Sequence, residues 1–316
     1  MMPPNRSILI EMPQVGRDNL ADFLDVLSGC WKCGSMLWMQ ANDFPVLPGL
    51  ILNAWTQETE AAVSRFCRER NFSELLLRIE KPGQRWTRRR GGYAIPLDKV
   101  RSQAEELASE GMITILLEPA SPYLDMFSLT SACDLETGKV DVEVVGPGFD
   151  ASDILRADFS PHERFEVLLN NRRSTAATSF SPKRVHAVGY DDYKASVHRR
   201  LVKIGARLRN PSFPDSLMEA TISDSEQERL AEEAVHFLQA SGQTALLDHA
   251  KEYEPIPSRL LNMFLEEFLR LFERIKASNI HWKTLSLASS FLPHDRLVIW
   301  DFYSPEDYDT SVLSRL

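Results

Sequence analysis

Apolar residues recur at helical spacing over 18–27, 32–42, 58–70, 98–110, 191–206, 225–239 and 257–276, which predicts seven amphipathic helices. Asp18 suits the N-cap of the first, and the last carries its stripe on Leu260, Leu261, Phe264, Phe268, Leu271 and Phe272. Short apolar runs predict strands at 49–53, 74–80, 93–96, 126–132, 140–145 and 296–301. The run over 112–118 follows Gly111, is stopped by Pro119 and is so apolar that it predicts a central strand covered on both faces.

Between these elements the polar segments read as turns. Asp134 and Gly138 suit a hairpin between 126–132 and 140–145. Gly146 and Gly148 open a glycine-rich turn leading to a helix capped by Asp150 or Ser152. The stretch 170–184, dominated by Ser, Thr, Asn and Arg, is expected to be a mobile loop. Neither an internal repeat nor a heptad array is present.

A chain of 316 residues with 43% hydrophobic composition can bury a large core, as one two-lobed domain or two small ones. The formal charge of −9 argues against a general polyanion binder, because long-range repulsion slows encounter with nucleic acid or an acidic membrane. No apolar run reaches the roughly 18 residues that a bilayer requires, and the first residues lack a signal-peptide pattern, so a cytoplasmic location is expected. Four cysteines fit a reducing compartment. Cys30 and Cys33 form a CxxC, for which two readings stay open: buried inert thiols, or redox or metal chemistry.

The segment from Lys32 to Gly49, Lys-Cys-Gly-Ser-Met-Leu-Trp-Met-Gln-Ala-Asn-Asp-Phe-Pro-Val-Leu-Pro-Gly, resembles the opening nucleotide-binding segment of the phosphoenolpyruvate synthase, pyruvate phosphate dikinase and rifampicin phosphotransferase group. Six further strings follow in the same order. Arg78 sits where that family has the arginine of its Val-Arg-Ser-Ser strand, and Gly91-Gly92-Tyr93 where it has a Phe-Ala-Gly-Gln loop. Glu118-Pro-Ala120 is similar to its Glu-Met-Val hinge, and 127–138 parallels its Gly-Val-x-Phe-Thr-x-x-Pro-x-Thr-Gly. The run 144–153 is similar to Gly-Leu-Gly-Glu-x-x-Val-Ser-Gly, and 159–165 to Thr-Pro-Asp-x-Tyr.

The resemblance implies an α+β, ATP-grasp-like two-lobed nucleotide-binding fold, with an N-terminal lobe at 1–112, a C-terminal lobe at 113–316 and ATP between them. It further implies that Lys32, Arg78, Arg88, Arg90, Gly91 and Gly92 hold phosphates, that Glu118 and Ala120 hold adenine, and that Gly146 and Gly148 admit the nucleotide. Arg78 and Arg90 would also act in transfer. Charge chemistry agrees, since a triphosphate needs a point charge and a planar fork from different directions. Rival readings stay open: Lys32 as a solvated lysine, Arg78 paired internally with Glu80 or Glu118, Glu118 as an exposed strand-end carboxylate, Gly146 and Gly148 admitting only a neighbouring strand, and 81–92 as a solvated loop or a nucleic-acid patch with Trp86 stacking on a base.

The pattern departs from the family at the C-terminal end. The family's Ile-Glu-Trp and Gln-x-Arg-Pro strands, which carry Mg²⁺ ligands, correspond to Asn279-Ile-His-Trp282 and Val298-Ile-Trp-Asp-Phe302. His281 replaces the glutamate and is a poor ligand for a hard ion. Asp301 is the expected metal residue, with Asp295 and Glu143 as other oxygen sources, and the rival reading of Asp301 is a surface or turn carboxylate. The expected function is ATP-dependent phosphotransfer or ligation onto a small molecule or a separately encoded partner protein. The alternatives are a catalytically silent nucleotide-binding module and a nucleic-acid-contacting protein.

Overall fold

The computed structural model describes residues 8–83, 92–119, 127–149, 159–169, 180–210, 222–251, 253–278, 280–304 and 310–316, with side chains omitted at 92–94 and 311. The chain forms two compact units. Unit 1 comprises Met1–Ser121, Glu267–Leu287 and Val298–Leu316, and unit 2 comprises Pro122–Glu266 and Ala288–Leu297. Both combine helices with an antiparallel sheet, the expected α+β class.

Unit 1 begins with β1 (Leu9–Glu11), α1 (Leu20–Val26), α2 (Trp31–Ala41), β2 (Gly49–Leu52), α3 (Gln57–Arg70), β3 (Glu74–Glu80), β4 (Gly92–Pro96), α4 (Leu97–Ser109) and β5 (Ile113–Leu117). Its sheet has the order β1-β2-β5-β3-β4. All five residues of β5 are buried, as a central strand requires. The lobe boundary expected at residue 112 falls within unit 1, where β5 is hydrogen-bonded between β2 and β3; the segments from Glu267 and Val298 belong to the same unit.

Side chains alternate across a strand, and in β3 this period separates two tasks. Leu75, Leu77 and Ile79 join a core with Val63, Phe66 and Cys67 of α3 and Val100, Ala104 and Leu107 of α4. Arg78 and Glu80 fall on the other face, where their side chains reach residues of α2.

Unit 2 contains β6 (Phe127–Asp134), β7 (Lys139–Val145), β8 (Glu163–Leu168), β9 (Lys183–Ala187), α5 (Tyr190–Arg209), α6 (Asp224–Ala240) and the short α7 (Ala245–Asp248). The chain then runs through α8 (Ser258–Ala277), β10 (Thr284–Leu292) and β11 (Arg296–Tyr303), and a short helical turn (Thr310–Arg315) follows. The second sheet has the order β11-β10-β6-β7-β8-β9. The hairpin between β6 and β7 is as expected, with Gly138 at φ +70°. The end of the expected mobile loop is strand β9; residues 170–179 and the helix expected after Gly148 lie outside the described residues. Unit 2 packs Tyr193, Val197, Leu201 and Ile204 of α5 against Leu230, Ala234 and Leu238 of α6. Among the described residues no helix is long and apolar enough to cross a membrane.

Candidate functional site

The first turn of a helix leaves backbone N–H groups unpaired, and in α2 a carboxylate from the sheet fills two of them. Glu80 Oε1 accepts from Lys32 N at 2.9 Å and Oε2 from Cys33 N at 2.8 Å. The side chain is buried, 6% exposed, and its charge complements the positive end of the helix dipole. Glu80 was expected only as a possible partner of Arg78; it holds the backbone on which Lys32 stands.

Lys32 is half-buried, and its ammonium makes one long hydrogen bond, 3.4 Å to the Ile79 carbonyl. Among the described residues no carboxylate lies within ion-pair distance of it. Burial, followed by the neighbouring charge of Arg78, lowers its pKa from the usual lysine value; Asp301 and Glu80 oppose that shift. Arg78 Nη1 donates to the Trp300 carbonyl at 3.0 Å and contacts Met36 Sδ at 3.7 Å, with its guanidinium 5.7 Å from the Trp300 ring centroid. On the next residue of β11, Asp301 Oδ1 accepts from Ser35 Oγ at 3.2 Å. Burial pushes the Asp301 carboxyl up to about 6, against the pull of Arg78 and Lys32.

Three residues singled out from sequence, Lys32, Arg78 and Asp301, thus lie in one electrostatically coupled cluster of unit 1, joined by Ser35 and Glu80. The signal for Glu80 was its position two residues beyond Arg78 on the same strand face. Glu118 stands just beyond β5, with its N–H donating to the Pro48 carbonyl at 3.1 Å. Gly92 opens β4 and pairs with Leu77, one residue from Arg78. Arg88, Arg90, Gly91, Ala120 and most of the basic 81–92 loop lie outside the described residues.

Asp301 does not fit a Mg²⁺ site. That ion demands near-octahedral oxygen ligation, whereas Asp301 offers one carboxylate beside a hydroxyl and two cations. Among the described residues no three His, Cys, Asp or Glu side chains gather to hold a metal. The other expected oxygen sources are engaged: Asp295 pairs with Arg259, and Glu143 pairs with Arg164 at 3.1 Å. Cys30 and Cys33 are buried free thiols whose pKa values are raised, Cys30 to about 12, chiefly by burial, which opposes thiolate chemistry.

Gly146 and Gly148 lie in unit 2. Gly148 has φ +79°, and a Cβ there would sit 2.4 Å from Leu246 Cβ; at Gly146 it would sit 2.9 Å from the Tyr253 ring. The close approach that these glycines permit is taken by protein side chains. Gly146 N donates to His162 Nδ1 at 3.0 Å, so the neutral imidazole carries its proton on Nε2, which has no hydrogen-bond partner among the described residues. The ring is enclosed by Phe149, Tyr193 and Tyr253, with centroids at 4.8, 5.0 and 5.2 Å.

Burial and then the charge of His186 lower the His162 pKa to about 4. The unfolded chain takes up a proton near pH 6.5 and the folded chain does not, so this histidine withdraws stability as pH falls. The loss begins near 6.5 and levels off near 4, where it reaches about 3 kcal/mol. Urea titrations between pH 7.5 and 4 should show this limb, and His162→Asn, which keeps an acceptor for Gly146, should flatten it. An unchanged limb would assign the acid sensitivity elsewhere.

No family model matches the chain, and no curated protein matches it. Its solved structural neighbours include the ATP-grasp ligase PsnB complexed with minimal precursor, with 8% identity and a TM-score of 0.30 over 89% of this chain and 53% of that one. D-alanyl-alanine synthetase A from Vibrio cholerae O1 biovar eltor gives 11%, 0.32, 89% and 56%. The D-Ala:D-Ser ligase VanG from Enterococcus faecalis gives 11%, 0.30, 92% and 60%. The chain thus spans little over half the length of these structures, and superposition this loose carries no argument about activity.

Proposed function

We propose that Lys32 and Arg78 receive the polyphosphate of ATP, and that the protein is an ATP-dependent ligase or phosphotransferase acting on a small molecule or a partner protein. The observation that carries this reading is the Lys32 ammonium: withdrawn from water, held beside a second cation and given a single 3.4 Å hydrogen bond. Such a charge is costly until an anion meets it. The ordered motifs resembling the phosphoenolpyruvate synthase group support ATP as that anion, with Lys32 as point charge and Arg78 as planar fork.

Asp301 then tunes the site. At pH 7.5 its carboxylate offsets part of the positive charge, and protonation near 6 removes that offset. ATP affinity should therefore rise as pH falls through 6, and Asp301→Asn should bind more tightly at pH 7.5 with a flatter profile. Equal pH profiles for the two proteins would remove Asp301 from the site.

A second reading, a nucleotide-binding module without turnover, is favoured by the placement of Asp301 between cations rather than among oxygen donors. Thermal stabilisation by ATP, with and without Mg²⁺, followed by assays for ADP and AMP release, separates the two. Stabilisation with release supports the enzyme and stabilisation without release supports the module. No stabilisation by any nucleotide overturns both.

A further inference from the structure

At the C-terminal end of α2, unit 1 contains a cavity of about 290 Å³ that the proposed ATP site does not use. Leu20, Leu24, Trp38 and Leu313 give it apolar walls, Asn42 and Ser314 add neutral polar groups, and Arg17 and Arg274 give it positive charge. Its size lies near the lower end of small-molecule sites, which typically combine apolar walls with a few polar anchors.

The nearby arginines have different employment. Arg17 Nε donates to the Ala41 carbonyl at 3.3 Å and its Nη2 pairs with Asp43 at 3.2 Å. Arg270 Nη2 donates to the Asn42 carbonyl at 3.2 Å and its Nη1 pairs with Glu267 at 2.6 Å. Both therefore satisfy carbonyls at the helix end, where cations are favoured, and each is balanced by its own carboxylate.

Arg274 is the third cation of the group and has no such balance. Its Nη1 donates to Asn42 Oδ1 at 2.7 Å, and its guanidinium lies 5.7 Å from the Trp38 ring centroid. Both partners are neutral, and among the described residues no carboxylate lies within ion-pair distance. Trp38 is fixed in turn by stacking on Phe44, at 5.5 Å and 27°. The guanidinium is thereby anchored at the cavity with one positive charge in excess. Burial, Arg17 and Arg270 all disfavour that charge, while Asp43 supports it.

We propose that this cavity is a binding site for a small monocarboxylate with an apolar tail, its carboxylate on Arg274 and Arg17 and its tail against Leu20, Leu24 and Leu313. A single excess charge fits a carboxylate better than a dianionic phosphate, and Leu20, Leu24 and Leu313 offer an apolar surface for a tail beside it. Charge-assisted, forked hydrogen bonds to guanidinium supply the anchor.

Calorimetric titration of the full chain with 4-methylpentanoate tests the proposal, with 4-methylpentanamide and inorganic phosphate as comparison probes. The expected result is saturable 1:1 binding of the acid, no binding of the amide or phosphate, and an affinity loss of about tenfold or more in Arg274→Met. Ala21→Trp, on the exposed side of α1, should block the cavity without touching Arg274 and should also lose binding, which decides the matter if Arg274→Met does not fold. Absence of saturable binding to the wild-type chain, amide or phosphate binding as tight as the acid, or undiminished binding in a folded variant would overturn the site.

Discussion

Replacing Glu80 by alanine is expected to cost about 2–6 kcal/mol of folding stability, because two backbone N–H groups are left without their acceptor at about 1–3 kcal/mol each. The buried carboxylate joins β3 to the first turn of α2 through the N–H groups of Lys32 and Cys33. Without it two helix-end donors lose their acceptor, and the half-buried ammonium of Lys32 loses one of its two nearby negative charges. Glu80→Gln keeps an acceptor oxygen and should cost roughly half as much. Urea denaturation checks both; a loss below about 1 kcal/mol in Glu80→Ala would mean that the helix end is served by water instead.

ATP affinity should fall by about 100-fold in Arg78→Ala, equivalent to the loss of one or two charge-assisted hydrogen bonds to phosphate. Lys32→Met should lose a similar amount and separates binding from stability more cleanly. Because the folded environment disfavours the charged ammonium, an isosteric apolar side chain should leave the nucleotide-free fold at least as stable. A variant that melts no lower than wild type and ignores ATP is the expected signature. If Lys32→Met melts lower and binds ATP unchanged, the lysine is a member of an internal charge network and not a phosphate ligand.

Much of this arrangement was legible along the chain because it depends on local periodicity. The alternation of β3 separates Arg78 and Glu80 from Leu75, Leu77 and Ile79, and the apolar run 113–117 marks the middle of its sheet. Features that depend on distant segments were harder to read. Asp301 was expected as a metal residue, and only the return of β11 places it against Ser35, beside Lys32 and Arg78. Strand β10 carries three serines that mask its burial, and Ser290 pairs with Ser128 at 2.8 Å inside the protein. Strand β9 is exposed at every position, so it has no apolar alternation and forms through backbone pairing with β8. At the first helix the capping position is Asn19, one residue beyond Asp18; its side chain makes no capping bond and accepts instead from Gly16 N at 2.9 Å.

The most direct measurement is calorimetric titration of the wild-type chain and of Lys32→Met with ATP at pH 7.5, in the presence and absence of Mg²⁺. Saturable one-site binding to the wild type, weakened about 100-fold in a folded Lys32→Met protein, is the predicted result. ATP that does not bind the wild type, or binds both proteins equally, would contradict the assignment of Lys32 and Arg78 to a polyphosphate.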